Sequence, residues 1–278
     1  MKKNIIYTIV VILILLTSTG VKENIEFDNF SAKAFYFSKS KMELGNWGSR
    51  LSEAQKKDVA ARLKNRLEKT YVLDFNREES FFYEEEKLDA LSGATDSWGK
   101  NFSPGKQYKN IKTNNQIQNQ EIYGKKFLVK DSLQTIKWEM SSDSKTIGNY
   151  TCMKATALIP TNELTWYSFS WSKLSNDKEI IDKENTEKKV KMTAVEAWYT
   201  LQIPVGHGPL EYWGLPGLIL EVSADNTTLL CSKIVINPKE KIVINPPTKG
   251  DVVTKKKYQD VVIKKMKEYR NNRMGGRR

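Results

Sequence analysis

Apolar and polar side chains alternate along most of this chain, and a helical period of apolar positions holds in two places only. Alternation marks a half-buried strand, and a 3.6-residue period marks an amphipathic helix. Residues 34–44, A-F-Y-F-S-K-S-K-M-E-L, read as a first, aromatic-rich strand. Ser52 and Gln55 have the spacing of a capping box, and Val59, Leu63 and Leu67 follow at helical spacing, so a helix is expected over 52–69. Its apolar stripe is narrow, which suits a helix lying on a sheet. Residues 71–86, Y-V-L-D-F-N-R-E-E-S-F-F-Y-E-E-E, read as a hairpin turning at Asn76 to Glu79.

Polar stretches interrupt this pattern twice. Residues 87–120 are rich in Ser, Gly, Asn, Gln and Lys and read as a long flexible insertion. Residues 172–189 carry many charges and few apolar groups and read as a second. Between and after them, strands are expected at 122–131, 136–140, 145–158, 166–171 (W-Y-S-F-S-W), 190–204, 215–222, 227–237 and 241–245. The last element is a helix over about 255–271, with Tyr258, Val262, Met266 and Tyr269 on one face. Strands dominate and follow one another through short turns, which implies antiparallel pairing. The expected architecture is mainly β: a curved antiparallel sheet or open barrel with two covering amphipathic helices, in one domain over 21–278.

The first twenty residues change the compartment. Lys2 and Lys3 precede an apolar run from Ile5 to Leu16, and Ser18 and Gly20 are small enough for cleavage after Gly20. That is the layout of a signal peptide over 1–20; the rival reading is a retained N-terminal anchor. The run is shorter than the ~20 apolar residues of a spanning helix, and none is expected in the mature chain. No Cys lies near residue 20, so lipid attachment there is not indicated. Export, to the periplasm or to an outer-membrane-associated site, makes nucleic acid an unsuitable partner despite the net charge of +12. Between Lys249 and Arg278, eleven Lys or Arg face three Asp or Glu. Acidic lipid headgroups or glycans suit such a tail better, and a solvated basic helix is the plainer reading.

Candidate chemistry is sparse. The only cysteines are Cys152 and Cys231; in an oxidising compartment they pair as a disulfide or else serve as two small buried hydrophobes. His207 is the single histidine. The chain has no H-E-x-x-H, C-x-x-C, G-x-S-x-G, G-x-G-x-x-G, P-loop or EF-hand pattern, so neither a metal nor a cofactor is expected and no catalytic residue is assigned. A Cys–His dyad from His207 with either thiol needs a tertiary contact. A carboxylate pair drawn from Glu84, Glu85, Glu86, Glu196, Glu211 and Glu221 competes with ordinary solvent-facing acids. A soft-metal site from Cys152, Met153 and His207 is opposed by strand geometry, because adjacent residues point to opposite faces. Aromatic richness remains. Trp198, Tyr199, Tyr212 and Trp213 are the candidates for lining a concavity that takes an apolar or peptide ligand, against the plainer reading of an aromatic core.

The stretch A-W-Y-T-L-Q-I-P-V-G-H-G-P-L-E-Y-W-G-L-P-G-L-I-L-E, Ala197 to Glu221, resembles the signature of the GLPGLI family, secreted proteins of Bacteroidetes named for that hexapeptide. Gly214, Leu215, Pro216, Gly217, Leu218 and Ile219 match it letter for letter, and Trp198-Tyr199-Thr200, Ile203-Pro204 and Gly208-Pro209 match upstream. K-W-E-M and K-T-I-G-N-Y-T-C-M-K-A, within 137–155, resemble a second block of the family. The resemblance implies export, a Bacteroidetes-type envelope and the company of TonB-dependent outer-membrane transporters. It implies no catalytic residues, because the family's function is unknown.

The signature also carries backbone expectations. Gly214 suits a positive φ. Leu215, before a proline, is pushed to an extended conformation. Pro216-Gly217 suits the centre of a type II turn, with Gly217 at positive φ. Leu218 to Glu221 then enter a strand, since Pro216 cannot donate to a ladder. Pro204, Gly208, Pro209 and Glu221 complete the structural set. The sequence alone thus points to an exported, envelope-associated accessory or binding module without enzymatic activity. Its partners would be a transporter or another envelope component. A structural envelope role is the alternative, and an exported hydrolase is third.

Overall fold

The computed structural model describes residues 30–41, 49–85, 104–168 and 190–275. The expected signal peptide over 1–20 falls outside these, as do 172–189 and Trp171. Ser31–Arg278 forms one compact unit.

Among the described residues, twelve strands form one open mixed sheet. In chain order they are β1 (Ala32–Ser40), β2 (Glu68–Phe75), β3 (Glu79–Glu84), β4 (Gln107–Asn110), β5 (Asn115–Ile122) and β6 (Lys125–Ser132). Then come β7 (Glu139–Ile147), β8 (Tyr150–Pro160), β9 (Met192–Thr200), β10 (Leu218–Ala224), β11 (Thr227–Ile236) and β12 (Asp251–Val253). Three helices join them: α1 (Glu53–Leu67), the single turn α2 (Thr161–Leu164) and α3 (Lys255–Gly275). The order across the sheet is β12-β6-β5-β4-β3-β2-β1-β11-β10-β9-β8-β7. The expected curved, mainly β architecture is therefore present. One departure is that β12 pairs with β6 in parallel, so the sheet is mixed.

Local chemistry explains the elements that were read well. Ser52 caps α1 and Gln55 bonds back to it, completing the capping box. Asn76 makes the β2–β3 turn, its side-chain oxygen accepting from the backbone N–H of Glu78 and Glu79 at 2.8 and 2.7 Å. Along β1, Ala32, Ala34, Tyr36 and Ser38 are buried at alternate positions, as a half-buried strand requires.

Five readings are corrected. Residues 145–158 are not one strand: Gly148, at φ 57, and Asn149 turn the chain between β7 and β8. The part of the 87–120 insertion from Gln107 onward is ordered as β4 and the start of β5; a polar run forms strands here because both of its faces are covered. Residues 122–131 are not one strand. Tyr123 and Gly124, at φ 49 and 78, turn the chain between β5 and β6, and two positive φ values suit a tight hairpin turn. Trp166 and Tyr167 lie in a turn after α2 rather than in a strand. Residues 241–245 form no strand; Ile244 lies across the sheet on the cluster of Tyr108, Ile117 and Leu128.

Cross-strand register defines the opposite face. Val129, Gln118, Gln107, Phe82, Leu73 and Ala34 occupy one row across β6, β5, β4, β3, β2 and β1. Residues paired in this way share a face. Helix α3 packs on that face, its Tyr258, Val262 and Met266 meeting Ile122, Phe127, Val129 and Trp166. Spacings of four place these three helix residues on one stripe.

Candidate functional site

The signature loop sits between β9 and β10 and is tied down along its length. Leu218 and Ile219 donate their backbone N–H to the carbonyls of Ile203 and His207 at 2.9 and 3.0 Å. Gly214 N–H reaches Gly206 O at 2.9 Å. The Tyr36 hydroxyl, from β1, donates to the Ile219 carbonyl at 2.6 Å, crossing over β11.

The centre of this arrangement is Lys109 of β4, a residue the sequence reading passed over. It is fully buried, and its Nζ donates to the carbonyls of Gly208, Leu210 and Tyr212 at 2.7, 2.7 and 3.2 Å. Three carbonyls need three donors, which an ammonium group supplies. Burial pulls the Lys109 pKa down to about 7, with the Glu211 carboxylate acting in the opposite direction. Nothing in the sequence marked Lys109: it lies in Q-Y-K-N, inside a polar run.

Glu211 is the second anchor and is itself buried. It accepts from Trp166 Nε1 at 3.0 Å and pairs with Lys255 Nζ, the first residue of α3, at 3.1 Å. The loop is thus fixed to β4 by Lys109 and to α3 by Glu211. A buried pair of this kind is costly to break, because the remaining charge has no water.

His207 is fully buried beside Phe75, with the backbone of Asn76 and Arg77 against its ring. Burial lowers its pKa to about 3, the Lys109 charge adding to the effect and the backbone of Asn76 and Arg77 opposing it. A neutral ring without a bonded thiol is not the base of a Cys–His dyad. Cys152 and Cys231 are both free and buried. Two strands, β9 and β10, separate theirs. At ~4.8 Å per strand this exceeds the ~7 Å Cα limit of a disulfide, so the pairing is not formed. Burial raises both thiols, Cys231 to about 12, which opposes thiolate chemistry.

The four candidate ligand-binding aromatics do not converge on one concavity. Trp198 and Tyr199 are neighbours on β9 and point to opposite faces. The Trp198 ring lies under Lys145 Nζ at 4.2 Å, and its Nε1 donates to Glu196. Glu221, at the end of the signature, pairs with Lys145 at 2.7 Å, and Glu196 pairs with Lys154 at 2.7 Å. On the other face the Tyr199 hydroxyl meets the sulfurs of Met140 and Met153 at 3.7 and 4.0 Å. Tyr212 is buried. Trp213 donates to Gln134 O at 2.7 Å and accepts on its carbonyl from Trp138 at 2.9 Å. Of the other acids, Glu84 pairs with Lys69, Glu85 is exposed at the end of the hairpin, and Glu86 lies outside the described residues.

The signature glycines divide by cause. Gly214 adopts φ 90, as its position suggested. Gly217 is a correction: it takes no positive φ, and its requirement is space, since a Cβ there would lie 2.0 Å from the Thr200 carbonyl oxygen. Gly208 is confined in the same way, 2.7 Å from Ile219 Cδ1. Pro209, Leu215, Leu218 and Ile219 are buried, while Pro204 and Pro216 are exposed at the bends. Among the described residues, no three His, Cys, Asp or Glu side chains converge as a metal site.

Comparison with known proteins agrees with the weight placed on this region. Residues 138–221, β7 through the signature, match a family described as "Protein of unknown function (Porph_ging)". No curated protein matches. Two solved structures of PNGF-II, in C2 and P21 space groups, are similar at 12% identity, with TM-scores of 0.47 and 0.46. The likeness covers 83% of this chain and 32% of theirs, so this chain spans about a third of their length. At that level nothing about a site or an activity carries over.

Proposed function

We propose that this chain is an exported accessory or binding module of a bacterial envelope, without enzymatic activity of its own. The observation that carries the non-enzymatic reading is where the reactive side chains have gone. Lys109 spends its donors on three carbonyls, His207 is buried with a lowered pKa, and both thiols are buried with raised pKa values.

Export rests on the basic-then-apolar N-terminus and its small residues at 18–20. The GLPGLI resemblance supports a Bacteroidetes-type envelope, and it suggests a TonB-dependent outer-membrane transporter, or another envelope component, as partner. No described helix is long and apolar enough to cross a membrane. The many internal bonds of the signature loop favour one second reading, a structural envelope component in which that loop serves folding alone.

Fractionation of cells producing the full chain tests the proposal. The expected result is a product beginning near Val21, recovered in the periplasmic or outer-membrane fraction. An uncleaved product confined to the cytoplasm would overturn it. Recovery in the envelope without any transporter or ligand bound by the purified chain would favour the structural reading.

A further inference from the structure

A groove of about 370 Å³ runs between the β5–β6 turn and the C-terminal half of α3. Its apolar lining comes from Val261 and the Tyr123 and Tyr269 rings, over Ile122 and Phe127, which α3 already buries to 2% exposure. Tyr123 and Tyr269 stand at its rim, 46% and 37% exposed. The Tyr123 hydroxyl donates to the Met266 sulfur at 3.6 Å. Lys125 and Lys265 also border the groove. The volume lies within the ~300–1,000 Å³ of small-molecule sites.

The surroundings are basic. Lys257 and Lys264 are exposed elsewhere on α3 and add to its positive charge. Two acids are present: Asp251 pairs with Lys125 at 2.9 Å, and Glu268 pairs with Lys265 at 3.1 Å. All four side chains are at least 45% exposed. Exposed pairs of this kind are weak, so either ammonium group can turn to an arriving anion. Over Lys255–Arg278 the sequence carries ten basic residues against two acidic ones, the densest positive stretch of the chain.

We propose that this groove binds an anionic amphiphile, with an alkyl chain against Val261 between Tyr123 and Tyr269 and a phosphate-type headgroup at Lys125 and Lys265. Apolar burial along the floor and charge complementarity at the rim are both needed. Tyrosines at the boundary suit a ligand that is apolar at one end and hydrated at the other. The inference rests on the binding-module reading and gives it a ligand class at a site apart from the signature loop.

Calorimetric titration of the full chain with dodecyl phosphate, below its micelle concentration, tests the idea. Dodecyl maltoside and inorganic phosphate serve as the neutral and chainless probes. Saturable one-site binding of dodecyl phosphate is expected, roughly tenfold or more tighter than either control. Val261→Trp, which fills the floor, should abolish that site. The double change Lys125→Glu and Lys265→Glu should reduce binding to the level of the maltoside, with thermal melting unchanged in both variants. Equal binding of both alkyl probes, or binding that survives Val261→Trp in a protein that melts normally, would overturn the proposal. So would the absence of any site. Binding by a second copy or by the chain's own C-terminus would appear as a concentration-dependent mass or as no titration, and would count against it too. A failure here leaves the fractionation result untouched, and a failure of export leaves this affinity measurable.

Discussion

β10 and β5 both lie within the sheet, β10 between β11 and β9, and β5 between β4 and β6. Both are largely buried, yet their composition is opposite. β10 buries Leu218, Ile219, Leu220 and Val222. β5 buries Ile117 and Ile122 together with Gln116, Gln118 and Gln120. The side-chain amides of Gln116 and Gln118 have no hydrogen-bond partner, and neither does that of Gln107 beside them on β4. Burying apolar surface is favourable in itself, whereas burying an amide costs free energy unless it is paired. The difference teaches that the sheet has an apolar half that stabilises it and a polar half that is held by specific contacts, Lys109 first among them.

Breaking Lys109 is the severest test of that contrast. Lys109→Met keeps the volume and leaves three buried carbonyls without a donor. At about 1 kcal/mol or more per orphaned group, the expected loss is about 3 kcal/mol or more in urea unfolding. A melt like that of the parent protein would show that the polar half needs no such anchor.

On the apolar side, the entry to β10 depends on close approach. Gly217→Ala drives a Cβ against the Thr200 carbonyl and should cost about 3 kcal/mol, the upper end of overpacking. Gly214→Ala meets nothing within 4 Å and pays only for φ 90, about 1 kcal/mol. Denaturation midpoints that rank Gly214→Ala as the worse of the two would reverse this assignment.

His207 joins the two halves, and its effect is read through pH. Its folded pKa of about 3 lies below the ordinary value of 6.5, so the unfolded chain binds the extra proton first. Stability attributed to the neutral ring is complete above about pH 6.5 and is lost progressively as pH falls towards 3. At pH 5 the loss is about 2 kcal/mol, from ~1.4 kcal/mol per pH unit. His207→Gln should flatten the stability profile between pH 6.5 and 4, and parallel profiles would exclude His207 as the cause.

The smallest effect is expected on β5. Gln118→Met removes two unpartnered amide atoms at similar volume and should leave stability unchanged or raise it by up to about 1 kcal/mol. A clear loss would show that the amide is paired in solution, and the two strands would then differ less than their sequences do.

Particular residues show how far the sequence was readable. Ser52, Asn76 and the alternation of β1 act through neighbours one to four positions away, and they were legible. The strands β4 and β5 were not, because a polar run forms strand only when its neighbours pair with it. Tyr123-Gly124 hid a hairpin turn, since its signal is weaker than that of Asn-Gly. Gly217 was recognised as necessary but for the wrong reason: the obstacle is the carbonyl of Thr200, seventeen positions earlier and across the β9–β10 pair. The four aromatics were read as one site, whereas strand pleating and separate hydrogen-bond partners distribute them over different surroundings.

The sequence by itself determined a mainly β chain, the places of α1 and α3, and a glycine- and proline-bounded signature feeding an apolar strand. These follow from short-range patterns of side-chain size, polarity and backbone freedom. Only the tertiary structure decided that Lys109 would cap the signature loop from 99 to 103 positions away, that Glu211 would bind Lys255, and that Cys152 and Cys231 would remain apart. It also formed the α3 groove. Such contacts arise from sheet order and register, which bring distant residues together for reasons no local pattern records.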